Sequence, residues 1–307
     1  MANEFTYRAD HIGPLITPAV LADARKRFAS KEIGQDQLRE AEDAAVKAAI
    51  TLQRRVGMSV MTDGTFHRAA PSAVTLDGAT LAKTEGAPLR SLTRRNIKVA
   101  VPAARPAAGE TLDRALARAD TVRKEIEALI AAGVDYIQLD APGYAALFDG
   151  GNGAAAVDDL LKLDTRALSG INRAGNACIA VHFVRPNGTS VRQAADADGV
   201  VERLLQVLPA DRFILPMDET NDFEVLRRVP KGKRTVLGLV SATKPALEDV
   251  DDLLARIERA SKVVDGDDLA LSPASGFGEG SALSEADQQR KLDLVADVAT
   301  RWWGFAM

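Results

Sequence analysis

Three histidines stand in this chain of 307 residues, His11, His67 and His182, and each comes at or just past the end of a short β-branched run. An unperturbed imidazole titrates near neutrality, so a histidine at the mouth of a pocket can give or take a proton. Asp63, Asp140 and Asp218 end similar runs. Aspartate is also a common helix N-cap, so each of these residues has an ordinary structural use as well. Gathered in one place, they would make a pocket with titratable groups of both kinds, as acid–base chemistry requires. His182 is the candidate general acid or base, with Asp140 and Asp218 orienting it or ionising in partnership. The candidate substrate contacts are His11, Asp63, His67, Arg68, Gln138, Tyr144, Arg185, Asn187, Lys244 and Ser275. Arg185 among them could hold a carboxylate bidentately. The one cysteine, Cys178, lies four residues before His182. That is about 13 Å deeper along a strand at ~3.3 Å per residue, and it reads as core packing.

The elements that must position these groups are eight strand-like runs: Thr6–Ile12, Met58–Thr62, Asn96–Val101, Tyr136–Asp140, Cys178–Phe183, Phe213–Met217, Thr235–Val240 and Leu269–Ser272. Each is followed by a candidate helix or a longer excursion. Such alternation predicts parallel strands with crossover helices, and eight units in this length predict a (β/α)8 barrel. Between Asp36 and Val56 the positions Leu38, Ala41, Ala45, Ala49, Leu52 and Val56 form one helical stripe, ended by Gly57. Ser284 with Asp287 resembles a capping box opening the last helix. Residues 1–307 are expected to form one domain, with long loops at 64–95, 141–157 and 273–283. All three loops follow strand ends on the face where barrel enzymes keep their active sites. The glycines at 150, 151, 153, 276, 278 and 280 suit the last two to closing over a substrate.

Composition narrows the function class. Net charge is -4, from 39 basic and 43 acidic residues spread along the chain. No basic block exists to neutralise phosphates, so no nucleic-acid partner is expected. No run approaches the ~18 apolar residues of a membrane span, and MANEFTYRAD lacks the pattern of a secretory signal. One cysteine allows no internal disulfide. A cytoplasmic enzyme or binding protein for a small molecule follows, with a homo-oligomer left open.

The strand ends also carry a likeness. RADHIG, VMTDGTFHR, YIQLDAPGY, VHFVRPNG, FILPMDET, GLVSATKPALED, LALSPASGFG and the closing WWG come in order. Over nearly its full length the sequence resembles the catalytic half of cobalamin-independent methionine synthase, in the short bacterial and archaeal form. The resemblance implies the (β/α)8 barrel of the methionine synthase/uroporphyrinogen decarboxylase superfamily. It also implies a zinc ion that turns the homocysteine thiol into a thiolate. Of the four ligand positions, His182 matches, but the others hold Val184, Pro216 and Ser275. Valine and proline cannot coordinate a metal and serine is a poor zinc ligand. Thr65 replaces an acidic residue, His67 an arginine, Ala141 a glutamate and Pro14 a serine, whereas Asp140 matches the residue that holds the amino group. No cofactor is therefore expected, and zinc only if His11, His67, His182 and the aspartates rebuild a site. Metal-free acid–base chemistry of lyase, hydrolase or decarboxylase type on a small polar or anionic substrate is the leading expectation. Methyl or alkyl transfer to a thiol is the alternative, and non-catalytic ligand binding a second one.

Overall fold

A computed structural model describes residues 7–69, 74–106, 109–144, 154–173, 177–184, 199–217, 223–278 and 282–304. Asp218, Arg185 and Asn187, and the glycines at 150, 151, 153 and 280, lie outside these residues. The regular sheet is parallel, with strands β1 Lys98–Pro102, β2 Tyr136–Asp140, β3 Cys178–His182, β4 Arg212–Pro216, β5 Arg234–Val240 and β6 Leu269–Pro273 in sequential order. These are six of the eight expected strands, with bounds shifted by at most two residues.

The other two are a correction. Of Thr6–Ile12 and Met58–Thr62, the described residues make only single parallel bridges, Ala9 to Leu271 on β6 and Met61 to Ile97 beside β1. Side chains have taken over much of their ladder. Ser59 Oγ accepts from Ala9 N at 3.1 Å. The Gln53 amide accepts from Thr62 N at 2.8 Å and donates to Thr62 O at 2.9 Å. Backbone hydrogen bonds still pass from Asp10 to Leu271, from Ser59 to Ala9 and from Met61 to Asn96. Eight chain segments thus surround one interior in a (β/α)8 barrel.

Period-two alternation sends β-strand side chains to two places. Tyr136, Cys178, Ala180, Ile214, Val236 and Ala270 pack together inside the ring with Tyr7, Ile12 and Val60. Ile137, Leu139, Ile179, Val181, Phe213, Leu215 and Leu237 face outward into a larger core shared with the helices. Each fully buried side chain of this kind contributes roughly 1.5–3 kcal/mol relative to exposure. Around the strands lie α1 Ala19–Ala29, α2 Gln35–Val56, α3 Ala87–Leu92, α4 Leu112–Ala131, α5 Ala154–Leu168, α6 Val200–Val207, α7 Val250–Ser261 and α8 Glu285–Trp303. The end of α2 is as the sequence predicts, with Gly57 left-handed at φ 88. The start of α8 is too, with Ser284 and Asp287 bonding each other's backbone N–H. Within the long loop expected at 64–95, residues 80–92 wind into a π-turn and α3. Three backbone N–H groups at its start, Thr80, Leu81 and Ala82, are capped by the buried Glu125 carboxylate of α4. Among the described residues no helix is long and apolar enough to cross a membrane.

Candidate active site

The floor of the interior is charged. Lys98 Nζ donates to Asp10 Oδ1 at 2.8 Å and to His11 O at 2.9 Å, and both side chains are almost wholly buried. Tyr136 OH donates to Asp10 Oδ2 at 2.8 Å, and the Lys98 ammonium sits 4.4 Å from the Tyr136 ring centroid. Burial works against the Asp10 charge, but Lys98 and Arg212 together hold its carboxyl below the usual range. The pair is an ion pair, and a dry one, so removing either partner would strand the other. Cys178 joins this layer. Burial pushes its thiol up to about 12, so it is not a nucleophile at neutral pH.

Above the floor, β2 and β3 lie in register with Asp140 opposite His182. His182 shares the inward parity of Cys178 and Ala180. Its Nδ1 lies 2.9 Å from Asp140 Oδ1. Gln138 Nε2 donates to the same oxygen at 2.7 Å and to Ile12 O at 2.6 Å. A carboxylate only accepts, so His182 donates to Asp140 from Nδ1. The His182 side chain is 6 % exposed and that of Asp140 32 %, so the pair sits at the edge of solvent. Gln138, Asp140 and His182 therefore form a line of hydrogen bonds that fixes one imidazole and leaves its Nε2 without a bond among the described residues.

The remaining candidates divide by place. The rings of His11 and His67 turn towards α2 rather than standing beside His182. His11 Nε2 bonds Gln53 Oε1 at 2.8 Å, and burial pushes the imidazole down to about 4, so it stays neutral. His67 Nε2 lies 3.0 Å from Asp43 Oδ1, and its Nδ1 lies 3.7 Å from Asp63 Oδ2. Arg68 grips Glu85 through Nε and Nη2 at 2.6 and 2.7 Å and donates to Ala100 O on β1. Tyr144, in the turn after β2, donates to Asp164 Oδ2 on α5 at 2.6 Å. Burial pushes the Asp164 carboxyl up to about 7. Lys244 is exposed in the connection after β5, and Ser275 follows β6 with its Oγ 3.3 Å from Gly276 O.

Several groups that shape the site were not singled out from sequence: Asp10, Lys98, Tyr136, Gln53, Glu85 and Asp164. A signal existed for two of them. Lys98 is a lone charge in an apolar strand on the inward parity of Ala100. Gln53 is a polar residue at a core position of α2, one turn after Ala49.

No protein-family model matches the chain. Two uncharacterized proteins of Bacillus subtilis (strain 168), YxjH and YxjG, are each 28% identical to it over 97% of the chain and 95% of their own length. Among solved structures, a candidate vitamin-B12-independent methionine synthase from Listeria monocytogenes superposes with a TM-score of 0.80 at 25% identity. That match covers 97% of this chain and 98% of the other. The chain has the fold of the B12-independent methionine synthases. The structure of such an enzyme from Shewanella sp. W3-18-1, in complex with selenomethionine, agrees at TM-score 0.76 and 19% identity, over 96% and 97% of the two chains. A methyltransferase from Methanosarcina mazei shares the fold more distantly, at TM-score 0.57 and 9% identity.

On this methionine-synthase-like barrel the four zinc-ligand positions implied by the resemblance all fall at C-terminal strand ends. His182 closes β3, Val184 comes two residues later, Pro216 closes β4 and Ser275 lies two residues past β6. The donor set does not fit zinc. One imidazole remains, two positions have no donor atom, and serine is a weak ligand. Among the described residues no group of three or more His, Cys, Asp or Glu side chains is placed to hold a metal ion.

Proposed function

We propose that this methionine-synthase-like barrel is a cytoplasmic enzyme that performs acid–base chemistry at the Asp140–His182 pair. Its substrate is small and polar or anionic, and the reaction is of lyase, hydrolase or decarboxylase type. The observation that carries the reading is the line Gln138–Asp140–His182, which engages Nδ1 of His182 and leaves Nε2 of the same ring without a bond among the described residues. A carboxylate on Nδ1–H stabilises the imidazolium that forms when Nε2 takes a proton. Arg185, three residues past His182, is the candidate grip for a substrate carboxylate. A screen of small carboxylates and amino acids for turnover, repeated with His182→Ala, tests the reading. We expect loss of about 10²-fold or more in turnover, and an alanine variant of full activity would overturn it.

The structural neighbours favour a second reading, methyl or alkyl transfer to a thiol. It would require metal donors beyond His182, and the rings of His11 and His67 are turned to α2. Homocysteine-dependent methyl transfer by the purified chain would establish it.

A further inference from the structure

We propose that Asp63, His67 and Asp43 form a proton relay joining the buried rim of the barrel to solvent, separate from the Asp140–His182 pair. His67 is 1 % exposed in its side chain and Asp63 5 %, whereas Asp43 on α2 is 45 % exposed. The imidazole lies between the two carboxyls, Nε2 at 3.0 Å from Asp43 Oδ1 and Nδ1 at 3.7 Å from Asp63 Oδ2. Nδ1 and Oδ2 are both buried and neither has a hydrogen-bond partner among the described residues. Two bare polar atoms facing each other in a dry site are costly. A single proton held between them satisfies both, once the gap closes by the roughly 0.5 Å that separates it from hydrogen-bond range.

The surroundings support a proton there. Asp63 Oδ1 is already committed to Thr65 N at 2.8 Å. Burial raises the Asp63 carboxyl, with Arg68 opposing. The charged groups facing His67 are Arg39, Glu42 and Asp43 from α2, Glu85 from the π-turn, and Asp63 and Arg68 from its own segment. Arg25 of α1 binds Phe66 O and Arg68 O and holds the backbone on either side of the ring. For one transfer outward, the Asp63 O–H proton passes to Nδ1 while the Nε2 proton passes to the Asp43 carboxylate, which releases it to water. The ring ends neutral with its proton on Nδ1, and the reverse transfer, in which Asp43 takes a proton from water and returns it to Nε2 while Nδ1 gives its proton back to Asp63, restores the starting state. No other reactant is needed. Asp43 is reached by water at the surface, and Asp63 shares the field of Arg68, which also feels Asp140. The relay is thus placed to set the protonation of the rim from bulk pH.

Imidazole nitrogen NMR on histidine-labelled protein tests this, because three rings can be assigned with three His→Gln variants. We expect a neutral His67 ring near pH 7 with the proton on Nε2 and a hydrogen-bonded Nδ1. We also expect Asp43→Asn, at a half-exposed surface position, and Asp63→Asn each to move the His67 titration by about one pH unit or more. An imidazolium held from about pH 5 to 9 would mean a static ion triad and overturn the relay. If Asp63→Asn does not fold, Asp43→Asn alone decides, and an unmoved His67 signal rejects the relay. The His182 signal in the same spectra should respond to Asp140→Asn and not to Asp43→Asn, so failure here is distinguishable from failure at the proposed active pair.

Discussion

At the scale of single residues, the proposed chemistry turns on which nitrogen of His182 is free. Asp140 Oδ1 takes two hydrogen bonds, from Gln138 and from His182 Nδ1. Replacing Asp140 with asparagine keeps the shape but removes the charge that stabilises an imidazolium, and it lets the amide N–H face the ring instead. We expect Asp140→Asn to lower turnover by about 10²-fold or more. Because the side chain is partly exposed, its thermal midpoint should move little. A large drop in midpoint with activity preserved would mean that the pair serves the fold. The resemblance in the sequence located both residues, and period-two parity placed His182 inside. Which ring nitrogen is bonded was not legible, because it depends on Asp140 arriving opposite His182 from a strand 42 positions away.

At the scale of elements, six strands were legible because their apolar alternation or continuity survives in the chain itself. That the first two expected strands make only single bridges among the described residues was not, because side chains of Gln53 and Ser59 replace backbone partners. Gln53 is fully buried and serves Thr62 N, Thr62 O and His11 Nε2 together. Gln53→Leu should therefore cost about 3 kcal/mol by urea denaturation, since stranded buried polar groups cost roughly 1–3 kcal/mol each. A loss below about 1 kcal/mol would mean that the first two segments are held by something else.

Asp164 makes a second element-scale prediction. Its folded carboxyl, pushed up to about 7 by burial, binds a proton that the unfolded chain releases near the ordinary value of 3.8. The folded state therefore binds more protons between these values, and stability falls as pH rises from about 4 to about 7. The slope is on the order of 1 kcal/mol per pH unit, and the loss levels off above that window. Asp164→Asn should remove this component, seen as the difference between the two proteins' stability curves. Identical curves would contradict the burial of a protonated Asp164 beneath Tyr144.

At the scale of the whole molecule, two glycines close the barrel around its mouth. A Cβ on Gly276 would lie 2.5 Å from Pro14 Cδ, where the loop after β6 meets the segment after the first expected strand. Phe277 N also donates to Pro14 O there, at 2.8 Å. Close packing against Pro14 calls for a glycine here. We expect Gly276→Ala to destabilise by about 1–3 kcal/mol, because a proline ring cannot yield as a flexible side chain would. Gly238 plays the same part inside, where a Cβ would lie 3.0 Å from Ala274 Cα and 3.1 Å from Pro216 Cα.

The chain has the fold of the methionine synthases, and three of the four positions that the resemblance assigns to zinc hold valine, proline and serine. Whether the mouth holds zinc decides between proton transfer and thiol activation. We expect metal analysis of the purified protein to find well under one zinc per chain, unchanged by His182→Ala. One tightly held zinc per chain, lost on His182→Ala, would contradict the proton-transfer reading and restore the thiol.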